Sequence, residues 1–220
     1  MIQIPLFRGI NKSDIMPMMA CLAAYMKQYK KGEYIIFEQD IVKNIGIIFT
    51  GSIDMIKEDV WGNKTTLVRL KEKELFGETF ACGENPLSSV TFLTSSDCEI
   101  LFIPFTRVMH MCSNSCMFHH QLVENMVSII ASKNRQLMNK VEILSKKNIR
   151  EKILAYLSFQ SQEKGTKYFE IPFGRLELAE YLCVDRSAMT RELNNMKKDG
   201  IIDFDRNVFN LIESISHDND

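Results

Sequence analysis

Arg186 and Arg191 lie five positions apart in the run Asp185-Arg186-Ser187-Ala188-Met189-Thr190-Arg191-Glu192-Leu193. Each guanidinium is a flat fork of donors that matches paired acceptors such as O6 and N7 of guanine. Ser187 and Thr190, between them, carry short hydroxyls suited to a base edge or a phosphate. The competing use of these arginines is a surface salt bridge to Asp185 or Glu192. A second local concentration of reactive types is Cys112 and Cys116 with His110, His119 and His120 close by. Thiolate with imidazole suits zinc, iron or haem, but Cys-x3-Cys has no second pair here, and free thiols also fill apolar space. Cys112 and Cys116 are therefore weak candidates, no metal is assigned, and the cofactor is left open. Ser88 and Ser89 have no evident histidine and carboxylate partners, and no phosphate-cradling or metal-hydrolase motif occurs, so no catalytic residue is assigned and an enzyme is not expected.

The arginines need a scaffold that presents one face of a helix. Arg175 to Leu182 reads as a helix, Cys183-Val184-Asp185 as a turn and Arg186 to Met196 as a second helix. Leu178, Leu182, Val184, Met189 and Leu193 are the apolar positions that pack the pair, and Asp185 is a good N-cap for the second helix. Asp199-Gly200 stops that helix. Ile201–Phe204 and Val208–Ile212, joined by Asp205-Arg206-Asn207, read as a β-hairpin. Helix, turn, helix and hairpin together make a winged helix-turn-helix, an architecture that reads DNA.

Further upstream the period is that of a coiled coil. Val123, Val127, Ile130, Asn134, Leu137, Val141 and Leu144 follow one another at alternating spacings of four and three residues. β-Branched residues at one set of positions and mainly Leu or Ile at the other favour a parallel two-stranded pairing, and Asn134 would fix its register at a cost in stability. These seven residues are the expected dimer interface; the alternative is a long helix packed on its own domain. Helical throughout, Met117 to Lys147 would be about 46 Å long.

Before Pro104 come short β-type runs: Tyr34–Phe37, Ile45–Thr50, Ile53–Glu58, Thr65–Leu70, Val90–Thr94 and Glu99–Ile103. Short strands at this spacing suggest a small antiparallel barrel or sandwich. Lys12 to Tyr29 carries apolar residues at helical intervals and reads as an amphipathic helix packed on it.

The chain has 220 residues, is 45% hydrophobic and 25% charged, and has a formal net charge of −1. This composition excludes wholesale disorder, collagen-like repeats and a coiled coil alone, and the charge provides no global field toward nucleic acid or an anionic membrane. DNA binding would then depend on base contacts and symmetry more than on bulk attraction. A local excess exists in Lys133 to Lys152, with seven cations against Glu142 and Glu151, which is either a solvated helix face or a phosphate-attracting one. No secretory signal, no run of roughly 18 apolar residues and scattered cysteines point to a cytoplasmic protein with reduced thiols and no membrane partner.

The run Glu177 to Leu193 and the segment Leu75-Phe76-Gly77-Glu78 resemble bacterial transcription regulators of the family of the cyclic AMP receptor protein and the fumarate and nitrate reduction regulator. The resemblance covers nearly the whole chain. It implies an α+β fold: an N-terminal antiparallel β-roll like a cyclic-nucleotide-binding domain (1–116), a long dimerisation helix (117–147) and a C-terminal winged helix-turn-helix (148–220). It implies a homodimer that reads a palindromic double-stranded operator through Arg186, Ser187, Thr190 and Arg191, with reading helices about 34 Å apart. Many relatives have glutamate at the place of Ser187 and glycine at that of Cys183.

The resemblance also implies an effector pocket in the β-roll. Cyclic nucleotide binders of this family hold the ribose with a glutamate and the phosphate with an arginine followed by serine or threonine. Gly77-Glu78 matches the first part, but Ser88 and Ser89 occupy the later positions, so the phosphate loses its charge-assisted partner and cyclic AMP is disfavoured. The expected pocket is Gly77, Glu78, Ser88 and Ser89, with Leu137 and Met138 of the long helix, for an unidentified small molecule. Iron–sulfur members carry an N-terminal cysteine cluster, where this chain has Cys21 alone. A hinge near Lys147 to Ile149 would let the effector bias the reader domains, and the Ser161 to Lys167 loop is the family's candidate for touching RNA polymerase. Two other readings stand beside this one: a haem, metal or redox sensor of the same family using Cys112, Cys116 and the histidines, and a ligand-binding or protein-interaction module that no longer reads DNA.

Overall fold

A computed structural model describes residues 4–109 and 117–212. The chain divides into two compact units, residues 1–130 and 131–220, each with its own core.

The first unit opens with a 3-10 turn at Pro5–Phe7 and helix α1 (Lys12–Cys21), and continues with strand β1 (Tyr25–Tyr29). The expected helix over Lys12–Tyr29 is therefore too long. Ala23 adopts a left-handed φ of 50°, which ends the helix, and Tyr25–Tyr29 pairs antiparallel with Cys98–Phe102. Tyr25 and Met26 satisfied a helical period, but Tyr-Met-Lys-Gln-Tyr alternates equally well, and pairing decides the contest.

Strands β2 (Tyr34–Ile36), β3 (Asn44–Thr50), β4 (Ile53–Glu58), β5 (Lys64–Leu70), β6 (Leu75–Phe76), β7 (Thr91–Thr94) and β8 (Cys98–Pro104) follow, with the short helices α2 (Glu78–Ala81) after β6 and α3 (Phe105–Met109) after β8. They form two four-stranded antiparallel sheets, ordered β1-β8-β3-β6 and β2-β7-β4-β5. β8 shows why the sequence demands two layers. Ile100 and Phe102 enter a core with Ile48, Ile53, Phe76 and Phe92, drawn from both sheets. Leu101 and Ile103 point the opposite way, into a second core with Met18 of α1, Leu22 at its C-cap, and Leu122 and Met126 further along the chain. A strand apolar on both faces must be covered on both, and each such side chain contributes about 1.5–3 kcal/mol. Gly46 permits close packing here: a Cβ there would lie 2.3 Å from the Phe76 ring.

Helix α4 runs Met117–Ser145, 29 residues or about 44 Å. It stops two residues short of the expected Lys147 because Asn148 caps a new helix, α5 (Ile149–Lys164), by accepting from the Glu151 amide. In the first unit, buried Asn125 of α4 donates through Nδ2 to the carbonyls of Leu6 (2.9 Å) and Arg8 (2.7 Å).

In the second unit α5 is followed by β9 (Tyr168–Glu170), α6 (Arg175–Leu182), α7 (Arg186–Lys198), β10 (Ile202–Asp205) and β11 (Val208–Leu211), with sheet order β10-β11-β9. β9 was not foreseen; it adds a third strand to the expected hairpin. The Ser161–Lys167 segment is a loop only in part, since Ser161–Lys164 is the last turn of α5 and Gly165 caps it at φ 66°. Ile153, Tyr156 and Leu157 of α5, Leu178 and Leu182 of α6, Met189, Leu193 and Met196 of α7, and Phe209 make one core. Among the described residues, no helix is long and apolar enough to cross a membrane.

Candidate nucleic-acid interface and sensor site

The helix-turn-helix is built as its residues dictate. Cys183 caps α6 in the left-handed region, at φ 53°. Asp185 then caps α7, its carboxylate accepting from the Ala188 amide at 2.8 Å. Met189, Leu193 and Met196 are buried, which turns the opposite face of α7 outward.

On that outward face Arg186, Ser187 and Arg191 are exposed and Thr190 is half-buried. The Thr190 hydroxyl donates to the Arg186 carbonyl (2.8 Å), so its hydrogen is spent within the helix. The two carboxylates that might have neutralised the arginines are engaged elsewhere: Asp185 in its cap, and Glu192 with Arg150 at 2.9 Å. Among the described residues, neither Arg186 nor Arg191 has a carboxylate within 4.0 Å. Two exposed residues, Asn194 and Lys198, extend the same stripe, three and seven positions beyond Arg191. Helical period alone would have found them.

The wing is fixed to this helix. Lys197 of α7 pairs with Asp203 of β10 (2.6 Å) and donates to the Phe204 carbonyl (3.2 Å), which holds the Asp203 carboxyl below its ordinary value. Arg175, first in α6, lays its guanidinium over the Phe204 and Phe209 rings at 4.8 and 5.2 Å, and burial lowers its pKa.

The sensor residues divide between inside and outside. Gly77 caps α2 with φ 80°, where a Cβ would press on the Asn44 carbonyl at 3.2 Å. Glu78 begins α2 and is 3% exposed. Its charge, together with burial as the larger cause, raises the Cys82 thiol pKa. Ser88 is fully buried, its hydroxyl donating to the Val90 carbonyl at 2.6 Å. Ser89 is exposed, and its carbonyl accepts from Lys57 Nζ at 2.8 Å. Leu137 and Met138 are exposed on α4, at 61% and 65%. A depression of about 440 Å³ in this unit is lined by Gly51, Ser52, Arg69, Lys71, Glu72 and Lys73, and includes none of these expected pocket residues.

The expected seam is mostly open to solvent: Val127, Ile130, Leu137 and Val141 are 58, 37, 61 and 67% exposed. Asn134 is also exposed, Leu144 is half-buried, and Val123 packs partly against the sensor core. Cys112, Cys116 and His110 lie outside the described residues. His119 is buried with Nδ1 unbonded, while His120 faces Glu124 at 3.4 Å. Among the described residues, no three His, Cys, Asp or Glu side chains group as a metal site.

A β-roll sensor followed by a long helix and a winged helix-turn-helix defines a two-domain ligand-responsive regulator. Residues 26–115 match the family described as the cyclic nucleotide-binding domain, and residues 151–213 the Crp-like helix-turn-helix domain. The chain is 22% identical over 199 residues to the cyclic AMP receptor protein of Thermus thermophilus, covering 90% of this chain and 88% of that one. Its fold is similar to that of a CooA mutant from Carboxydothermus hydrogenoformans (TM-score 0.60, 15% identity, covering 97% and 92%). It is also similar to the c-di-GMP-responsive global regulator CLP of Xanthomonas campestris (TM-score 0.55, 18% identity, covering 93% and 100%). The chain belongs to the Crp/Fnr-like DNA-binding transcription regulators, with an effector-binding domain ahead of its reader. Members of this family bind DNA as dimers and are typically not enzymes.

Proposed function

We propose that the chain acts in the cytoplasm as a homodimer that reads a palindromic operator through Arg186, Ser187, Thr190 and Arg191, controlled by an effector other than cyclic AMP. The observation that carries this reading is the outward face of α7, where Arg186 and Arg191 keep their forks free because Asp185 and Glu192 are committed to other partners. Each fork can take the O6 and N7 pair of a guanine, worth about 1–3 kcal/mol of discrimination.

Dimerisation is supported by the open stripe Val127, Ile130, Leu137 and Val141, which a second α4 would take out of water. Facing Asn134 side chains would select one register. On this reading 1–116 is the sensor, 117–147 the dimerisation segment, helical as far as Ser145, and 148–220 the reader. Exclusion of cyclic AMP rests on serine at both 88 and 89. The relatives point to no single effector, since one is named for cyclic AMP and another for c-di-GMP. The effector acts only through its differential affinity for two placements of the readers about the break at residues 146–148. RNA polymerase is a candidate partner at Ser161–Lys167.

The test is a footprint on sequences enriched from random duplex DNA, with wild type and the double variant Arg186→Ala, Arg191→Ala. Specific protection should vanish in the variant while it remains dimeric; unchanged footprints would defeat the reading. Calorimetry with cyclic AMP should show no binding in the micromolar range, and a micromolar Kd would remove the effector exclusion.

A further inference from the structure

We infer that Arg150 is a positioning residue that sets how the reading helix α7 is seated, and thereby operator affinity, without touching DNA; this rests on the DNA-reader reading above. Arg150 is the second residue of α5. Its Nε lies 2.9 Å from Glu192 Oε1, and its Nη2 pairs with Asp199, the C-cap of α7. Glu192 and Asp199 are seven positions apart, so the side chains that converge on this one guanidinium start from points about 10 Å apart along the helix, two turns.

The buried Met189, Leu193 and Met196 set the depth of α7 against its core, but apolar contact is non-directional and leaves rotation and sliding cheap. The guanidinium of Arg150 adds a directional hydrogen bond from Nη2 to Asp199, and a close charge attraction draws Glu192 to its Nε edge, although the Nε–H itself is not aimed at that oxygen. Because Glu192 adjoins Arg191, holding Glu192 sets the azimuth from which Arg191 leaves the helix. Lys152, two residues beyond Arg150, places Nζ 3.4 Å from the Leu182 carbonyl at the end of α6. The start of α5 therefore engages both helices of the reader motif, immediately after the break that separates it from α4.

The competing role is a phosphate contact, and salt dependence separates the two. The full chain is titrated against the operator it enriches and against an unrelated duplex, over a range of salt, as wild type, R150M, R150K, E192Q and R150M/E192Q. R150M should weaken operator binding about tenfold while non-specific affinity stays within about twofold and the salt slope is unchanged. Its melting temperature should move by less than about 5 °C, since a half-exposed ion pair adds little stability. R150K should recover part of the loss, and R150M/E192Q should bind no more weakly than R150M. Wild-type-like operator affinity in R150M overturns the assignment. So does an equal loss on both duplexes with a slope smaller by about one, which marks a phosphate contact. If R150M does not fold, E192Q and R150K decide: both at wild-type affinity would refute it. A wild type that enriches no sequence removes the DNA-reader reading itself, and this assignment with it.

Discussion

Cys183 stands in a conformation that L side chains pay to adopt. Its φ of 53° makes the turn between α6 and α7, a conformation that glycine adopts without a Cβ penalty. A left-handed non-glycine residue costs about 1–2 kcal/mol, and glycine at the same place costs about 0.5–1 kcal/mol in chain entropy. Cys183→Gly should therefore raise reader stability by about 0.5–1 kcal/mol, seen as a thermal midpoint higher by a few degrees; an unchanged or lower midpoint contradicts the strain argument. At this scale the Asp185 cap was legible, because a cap and its amide are three residues apart. The Arg150 partnership was not. Arg150 and Asp199 are separated by 49 positions, and only packing of α5 on α7 brings them together. Arg150 was visible in the sequence merely as one of seven cations in a basic stretch.

Elements with a strong period were read most directly. The α6 bounds are those expected, and the heptad positions fall on one continuous α4. β1 was missed because five residues carry too little period to outweigh the helix before them. β6 and β9, two and three residues long, have no period at all and exist through their neighbours. Two facing valines at position 141 would lie inside the proposed seam. Val141→Lys places like charges there and should shift the dimer toward monomer in sedimentation at micromolar concentration, leaving the monomer folded because Val141 is 67% exposed. A dimer that persists unchanged would place the interface elsewhere.

For the whole molecule, a formal net charge of only −1 conceals a distribution. The outward stripe of α7 is cationic, and many acids serve as local ties. Asp59 and Asp97 in the first unit and Asp203 in the second are held below their ordinary 3.8, by the Asn63 amide, Lys30 and Lys197 respectively. A carboxylate whose folded pKa is depressed stabilises above its ordinary value and loses that contribution as pH falls through the folded one. Urea midpoints should therefore decline below about pH 4, and midpoints that hold level down to about pH 2 would contradict this. The sensor pocket was the least legible part at any scale. Ser88 points in, with its hydroxyl on the Val90 carbonyl, and Ser89 faces out beside Lys57; two adjacent serines do not encode which of them turns inward.

The double-faced β8 bears on how this protein can be dissected. The matched sensor family spans residues 26–115, yet the outer face of β8 is covered by Leu6, Met18 and Leu22 before that span and by Leu122 and Met126 after it. A fragment cut at the family limits would expose Leu101 and Ile103 to water, and so would one that kept α4 but began at residue 26. The latter would also strip the Asn125 amide of both its carbonyl acceptors, a further penalty of about 1–3 kcal/mol. The recurring sequence unit and the foldable unit are thus different objects. The smallest sensor expected to hold its shape in isolation reaches from about residue 4 to residue 130.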